Sequence, residues 1–502
     1  MKKQISGGVL LSFFSQIITI IVGLAYTPIM IRILGQDEYG LYQLVMSVVN
    51  YLNLMNFGFN GAYIRYFVIA KKTEDDNEVA NINGMFMKAF LIIATLCLVA
   101  GAVLYANIGM LGNQISEENY VIARQLLVIM IINLAISFPN SLYVAYMSAN
   151  ERFIYQKAIG IIINIAIPIL NIPLLLLGCG SVGVVSATLF LTIIRLILNM
   201  WYCYEKLNLK INLKFFNKNI FKELMGYTFF VFLSDLVDQL NSNVDKLLLG
   251  RMTGTIAVAL YSVGYNLKNY YVTVSWIVPE MYVPKANRIA IRENNNEELT
   301  EIFTKVGKIN NYLMLLVLSG FFLVGRNFVL LWVGKDYAMS YYAALILMIC
   351  GYVPAIQTLG VNIQNAKNMH RMRSVVYFIV ACINVVASVF LIKKWGVIGT
   401  CIGTLFATIL GHGLFMNYFY HKKIGLNIKL FWKEIIKWLI PVAVLTVIFK
   451  TCLCFFEVDS WLKLFCSVVI YSSCYLVMLF YIGFDKALRI KILDKIKSLL
   501  VK

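Results

Sequence analysis

The sequence predicts an all-α integral membrane protein of about 14 transmembrane helices. They are expected to form two six-helix lobes related by a pseudo-twofold along the membrane normal, plus two extra C-terminal helices. Three observations lead there. Hydrophobic residues make up 60% of the 502 and charged residues 14%, where soluble domains carry about a quarter charged; the mean hydropathy is +0.76. The apolar residues fall in blocks of the ~20 residues that cross a bilayer. Several local features recur at a near-constant offset.

The blocks centre on roughly residues 22, 50, 95, 133, 165, 192, 237, 268, 315, 350, 382, 406, 444 and 472, each about the length of a span. The first follows Lys2 and Lys3 and runs to about Leu34 without a small-residue cleavage site, so it is read as a retained helix. The second runs on into polar residues at its inner end. The third to sixth are largely apolar, the fourth containing Pro139 and the sixth Arg195. "GCGSVG" joins the fifth and sixth. It matches a dinucleotide fingerprint but has no strand before it and no acid ~20 residues on, and reads as a tight interhelical turn. The seventh, "FLSDLVDQLNSNVDKLLLG", is crowded with charge. The eighth runs into polar residues, the ninth is apolar, and the tenth contains Pro354. The eleventh and twelfth precede a basic loop, and the last two form an appendage.

The net charge of +19 raises nucleic acid as a partner, but its distribution argues against one. With the N-terminus inside, 31 of the 44 basic residues fall on inner segments, among them five lysines in 206–222, five in 422–437 and six basic residues in the tail. This is the positive-inside rule, and it places both termini in the cytoplasm. The tail, with Leu488, Ile492, Ile496 and Leu499 at helical spacing, fits the anionic inner leaflet.

Pro139 and Pro354 lie 215 residues apart, as do Gly35 and Gly250; "GSVGVVSAT" and "GVIGTCIGT" lie 216 apart. The offset covers six spans, so both copies share one orientation. The expected division is an N-terminal six-helix lobe over 1–204, a basic cytoplasmic linker over 205–222, a C-terminal six-helix lobe over 223–422, two additional helices over 423–484 and a basic amphipathic cytoplasmic tail over 485–502. Pro139 and Pro354 are candidate hinges, with a static kink as the plain reading.

The seventh span runs outward, so Asp238 falls near mid-membrane. At ~100° per residue, Asp235, Asp238, Ser242, Asp245 and Lys246 share one polar face, opposite Phe232, Val237, Val244 and Leu248. A charge at bilayer depth faces protein or water, so these residues are expected to line an aqueous cavity. The second span offers Gln43, Asn50, Asn53 and Asn60, and the eighth Tyr261, Tyr265 and Lys268; Arg65 and Arg195 are further candidates. Amides and phenols suit a sugar-like ligand, and lysines suit phosphate or acidic sugars. Structural readings stand beside each. Asp238 could pair with Lys268, Asp245 and Lys246 could anchor a helix end, the asparagines could bond helices, and Arg195 could snorkel. His412 is the one histidine within a span, where packing is the ordinary role. Ten cysteines without a CxxC motif read as buried thiols, with no metal or disulfide framework, and no cofactor is called for.

"PIMIRILGQDEYGLYQLV" and "NVDKLLLGRMTGTIAVALYSVGYNL" resemble the polysaccharide-repeat (O-antigen/capsule, Wzx-like) flippases of the multidrug/oligosaccharidyl-lipid/polysaccharide exporter superfamily, over most of the chain. The resemblance implies a V-shaped pair of lobes around a cationic cavity, in a bacterial cytoplasmic membrane. Alternating access would move undecaprenyl-diphosphate-linked oligosaccharide to the outer leaflet for O-antigen, capsule or exopolysaccharide synthesis. Membrane lipids and polysaccharide polymerase or assembly proteins are the implied partners, and the activity is transport, not catalysis. Asp245 is the position that matches a recurrent family element. Tyr26 and Thr27 stand where the peptidoglycan-precursor branch carries an Arg-Asp pair, which counts against lipid-linked muropeptide. The span-seven carboxylates would balance cations or couple transport to a proton or sodium gradient. Two alternatives stay open. A cation-coupled multidrug efflux antiporter of the same fold would use Asp235 and Asp238 as titrating groups. A membrane glycan polymerase or ligase ordinarily needs a large outer loop, whereas the longest here, about residues 107–119, has no basic residue.

Overall fold

A computed structural model describes residues 2–484 apart from 57, 112–116, 216, 291, 293–295 and 368, together with 489 and 490. The described residues are helical almost throughout. In the first part of the chain run α1 (Lys2–Leu52), α2 (Phe59–Lys71), α3 (Asp76–Ala106), α4 (Glu117–Ala149), α5 (Phe153–Leu176), α6 (Gly180–Leu207), α7 (Lys218–Met252) and α8 (Thr255–Val274). There follow α9 (Ile277–Ala290), α10 (Asn296–Trp332), α11 (Ala338–Ile356), α12 (Thr358–Ala366), α13 (His370–Thr408), a wide-turn stretch over 409–424 interrupted by α14 (Asn417–Phe419), α15 (Ile428–Leu453) and α16 (Trp461–Met478).

Among the described residues, ten helical stretches are long and apolar enough to cross a membrane, and the chain is a multi-pass membrane protein. Two of these stretches are double. Phe14–Lys71 breaks at Gly35 (φ 75°) and Val375–Ile424 at Gly396 (φ 53°), left-handed values that glycine adopts without a Cβ penalty. The seventh and eighth blocks form helices as well, α7 and α8, but their polar residues keep them out of the ten. The "GCGSVG" stretch is the turn its composition predicts, with Gly178 at φ 79° and Gly180 at φ 57° opening α6.

Local chemistry sets several helix ends. Asp75 accepts the Asn77 amide (2.8 Å) to start α3, and Asn427 accepts the Leu430 amide (3.1 Å) to start α15, each satisfying one of the orphan donors of a first turn. Pro139 sits inside α4 between Ser137 and Ser141, whose hydroxyls bond the Leu134 and Ser137 carbonyls. Pro354 lies two residues before α11 ends, and the Thr358 hydroxyl bonds the Ala355 carbonyl (2.8 Å) as α12 begins.

The chain divides into two compact units. The first comprises Met1–Ser262 and Ser374–Gly403. It holds an aromatic cluster in which Phe86 meets Tyr63 edge-on (5.2 Å) and Phe67 meets Tyr146 (5.4 Å). Tyr63 donates to Asn83 (2.6 Å), and Asn83 donates to the Lys210 carbonyl (2.8 Å). The lysine-rich segment after α6 is thereby tied down on α3, with Lys210 paired to Asp76 (2.8 Å). The Lys210 ammonium, by hydrogen bond and charge, holds the exposed Asp76 carboxyl below its ordinary range. The second unit comprises Val263–Arg373 and Thr404–Lys502. There α15 and α16 pack on α10 through Tyr312, Trp438, Tyr471 and Tyr475. Trp438 donates to Tyr475 (2.8 Å), Tyr475 to the Tyr312 carbonyl (2.8 Å) and Tyr471 to Ser319 (2.6 Å). Each polar tip is met inside the bilayer, where an unmet one would be costly.

Candidate functional site: a buried carboxylate and a polar seam

The first unit gathers polar residues of six helices. The part of α1 after Gly35 begins with "QDEYG", whose acids satisfy the ends of other helices. Glu38 accepts the Ser181 amide (2.6 Å) and hydroxyl (2.7 Å) at the start of α6. Asp37 accepts Asn119 of α4 (2.6 Å) and the hydroxyl of Thr255, the first residue of α8. Carboxylates favour helix N-termini because backbone donors and the helix dipole converge there. Glu38→Ala is expected to lower stability by about 1–2 kcal/mol, in the range of a lost N-cap, readable as a lower unfolding midpoint in detergent.

One helical turn further in, α1 meets α7. Asp245 is 0% exposed. Its Oδ2 accepts the Tyr261 hydroxyl of α8 (2.9 Å) and its Oδ1 the Ser388 hydroxyl of α13 (3.4 Å). Ser388 is also 3.4 Å from Asn384 Oδ1, one turn away. Each carboxylate oxygen thus lies within hydrogen-bond distance of a hydroxyl from another helix. The Tyr51 hydroxyl lies within electrostatic reach of Asp245 and is buried without a hydrogen-bond partner among the described residues. The next residue, Lys246, is 6% exposed and points to another helix, its Nζ donating to Gln43 Oε1 (3.2 Å). Gln43 donates to Tyr39 (3.1 Å). Asn50 donates to Asn243 (3.5 Å), which donates to Gln239 (2.5 Å). The seam is a line of amides and hydroxyls with one carboxylate and one ammonium among them. Such groups pass protons, coordinate small cations or bond sugar hydroxyls.

In the second unit, Lys268 Nζ lies 5.0 Å from the Tyr265 ring centroid, a cation–π contact. His412 is within electrostatic reach of both Lys268 and Arg373.

The remaining candidates lie apart from these clusters. Asn53, Arg65 and Asp235 are exposed. Among the described residues, the half-buried Asn60 has no partner for its Oδ1 and the half-buried Arg195 of α6 none for its Nε. The Asp238 side chain lies outside the described residues, and with it the Asp238–Lys268 pairing. Asn384, Ser388, Gln239, Asn243, Tyr51 and Arg373 were not among the sequence candidates. For Asn384 and Ser388 a signal existed, two polar residues four apart within "FIVACINVVASVFLI". Among the described residues, no group of three or more His, Cys, Asp or Glu side chains could hold a metal ion.

The family model described as "Polysaccharide biosynthesis protein" matches residues 5–276. The uncharacterized membrane protein EpsK of Bacillus subtilis (strain 168) is 21% identical over 494 residues, covering 96% of each chain. The Shigella flexneri protein named "Putative O-antigen transporter" is 20% identical over 425 residues, covering 80% of this chain and 94% of its own. Among solved structures, lipid II flippase MurJ in its inward closed conformation superposes with a TM-score of 0.71 at 16% identity, covering 94% of this chain and 98% of that one. At that identity the likeness is one of fold.

Proposed function

The chain belongs to the polysaccharide biosynthesis protein family, and from that premise we propose that it is a flippase. Its substrate is an undecaprenyl-diphosphate-linked oligosaccharide repeat, moved across a bacterial cytoplasmic membrane for cell-surface polysaccharide assembly. The observation that carries the reading is the buried seam of amides, hydroxyls, one carboxylate and one ammonium in a bilayer-spanning chain. When α1 and α7 part, the amides and hydroxyls of such a seam fit a polar, hydroxyl-rich cargo better than an apolar one. The relatives point the same way, since one is named as an O-antigen transporter and a structural neighbour as a lipid II flippase.

In this reading the chain has fourteen spans, arranged as the two repeats and the C-terminal pair of the sequence division, with both termini cytoplasmic. Gly180 and Gly396, equivalent in the repeats, both adopt a left-handed conformation, which supports it. The two lobes alternate access, with Pro139 and Pro354 as hinges. Lys268 and Arg373 hold phosphate, and amides and tyrosines read the glycan. Asp245, with Tyr261, Ser388 and Asn384, couples the cycle to a proton or sodium gradient.

The test is reconstitution in liposomes with a fluorescent polyprenyl-diphosphate oligosaccharide, its arrival in the opposite leaflet followed with and without each gradient. Gradient-stimulated translocation is expected. Failure to translocate, alongside gradient-driven movement of small organic cations, would move the chain to the drug-efflux reading.

A further inference from the structure

We propose that the Lys246–Gln43 hydrogen bond is the latch of an outer seal between α1 and α7. Lys246 is then a positioning residue that closes the path, not a group that holds substrate. The inference rests on the transport reading and the orientation above. α7 is gripped on two sides by consecutive residues. Asp245 ties it to α8 and α13 through Tyr261 and Ser388, while Lys246 ties it to α1 through Gln43. Asn50 and Asn243 repeat the α1–α7 contact one to two turns further in.

Toward the outer end the helices come too close for any glycan to pass. A Cβ on Gly250 would lie 2.5 Å from Leu44 Cδ1, and one on Gly40 would lie 1.9 Å from the Thr255 carbonyl oxygen. Release of cargo outward therefore requires α1 and α7 to separate here. A polar latch suits that step, because an ammonium and an amide leaving each other are taken up by the entering water. Apolar side chains in their place would stay exposed in the open form.

Ser47 supplies the probe. It is 0% exposed on α1, on the same stripe as Gln43 and Asn50, and among the described residues its hydroxyl bonds only back to the Leu44 carbonyl (2.6 Å). Ser47→Cys is placed in a chain whose exposed cysteines (179, 382, 452, 454, 466 and 474) are replaced by serine. It is then challenged with a membrane-impermeant maleimide in right-side-out and inside-out vesicles. Adding Gln43→Leu, or Lys246→Met, is expected to speed external labelling at position 47 about tenfold, the worth of a lost hydrogen bond to a charged group. Labelling of the buried native Cys203 at the inner end of α6 should not change. Should Lys246→Met fail to fold, the half-buried Gln43 carries the test alone.

Unchanged or slower labelling at position 47 would overturn the latch, as would faster labelling of both thiols, which signals general loosening. Faster labelling from the inner side alone would overturn the outer seal, because the contact would then face the cytoplasm. Faster outer labelling in a protein that moves no lipid-linked glycan would leave the latch standing and remove the flippase reading.

Discussion

Asp245→Asn is expected to abolish gradient-stimulated translocation, a loss of about tenfold or more, while leaving the fold in place. The asparagine has the size of the aspartate and one acceptor oxygen of the same geometry, so either Tyr261 or Ser388 keeps its partner. Loss of the second bond to a charged group costs about 1.5–3 kcal/mol. Removing a charge from bilayer depth returns about 2.5–3.5 kcal/mol on insertion scales, so the two nearly offset. Asp245→Ala is different. It leaves both hydroxyls without the carboxylate, at about 1–3 kcal/mol each, and opens a void in a fully buried site. The pair of variants thus separates coupling from folding. In reconstituted vesicles, Asp245→Asn should show equal rates with and without the gradient and a near wild-type unfolding midpoint. Asp245→Ala should lose both activity and stability. Gradient stimulation that survives in Asp245→Asn would remove this carboxylate from the coupling step.

The residues of α7 mark where sequence reasoning stops. Hydrocarbon imposes a simple rule, long apolar runs in helical form. Most helices were therefore visible as composition, and Gly35, Gly180 and Gly396 were visible as punctuation. A helical wheel groups Asp235, Asp238, Asp245 and Lys246 on one face, but it says nothing about what lies opposite. In the fold Asp235 is exposed, whereas Asp245 and Lys246 are buried against different helices. Their partners come from residues 143 and 203 positions away, and no local pattern encodes such pairings. "QDEYG" shows the same limit. It read as a family signature, and its physical content, two acids satisfying the ends of three other helices, depends on segments far along the chain. Tyr261 was visible as one member of a polar stripe. That it bonds Asp245 follows only once α7 and α8 turn back on each other at Gly254, with φ 96°.

Gly40→Val is expected to prevent accumulation of folded protein, and Gly40→Ala to destabilise it by about 3 kcal/mol, the upper part of the range for overpacking. A Cβ at this position would sit 1.9 Å from the Thr255 carbonyl oxygen and 2.6 Å from its carbon. Both are backbone atoms of a helix start held in place by Asp37, so no side chain can swing aside to make room. Relief requires α8 to move away from α1, and that movement also pulls on Tyr261 and the carboxylate it bonds. Gly61 provides the contrast. It lies on α2 with nothing within 4 Å of where a Cβ would be, and alanine there should stabilise by up to about 1 kcal/mol through helix propensity alone. Size-exclusion profiles of tagged variants after a heating series would read both effects in one experiment. A Gly40→Ala protein that melts with Gly61→Ala would show that α1 and α8 are not in backbone contact. If Gly40→Ala melts early and Gly61→Ala does not, the close approach is confirmed. The glycine of "QDEYG" is then explained by the carbonyl it faces.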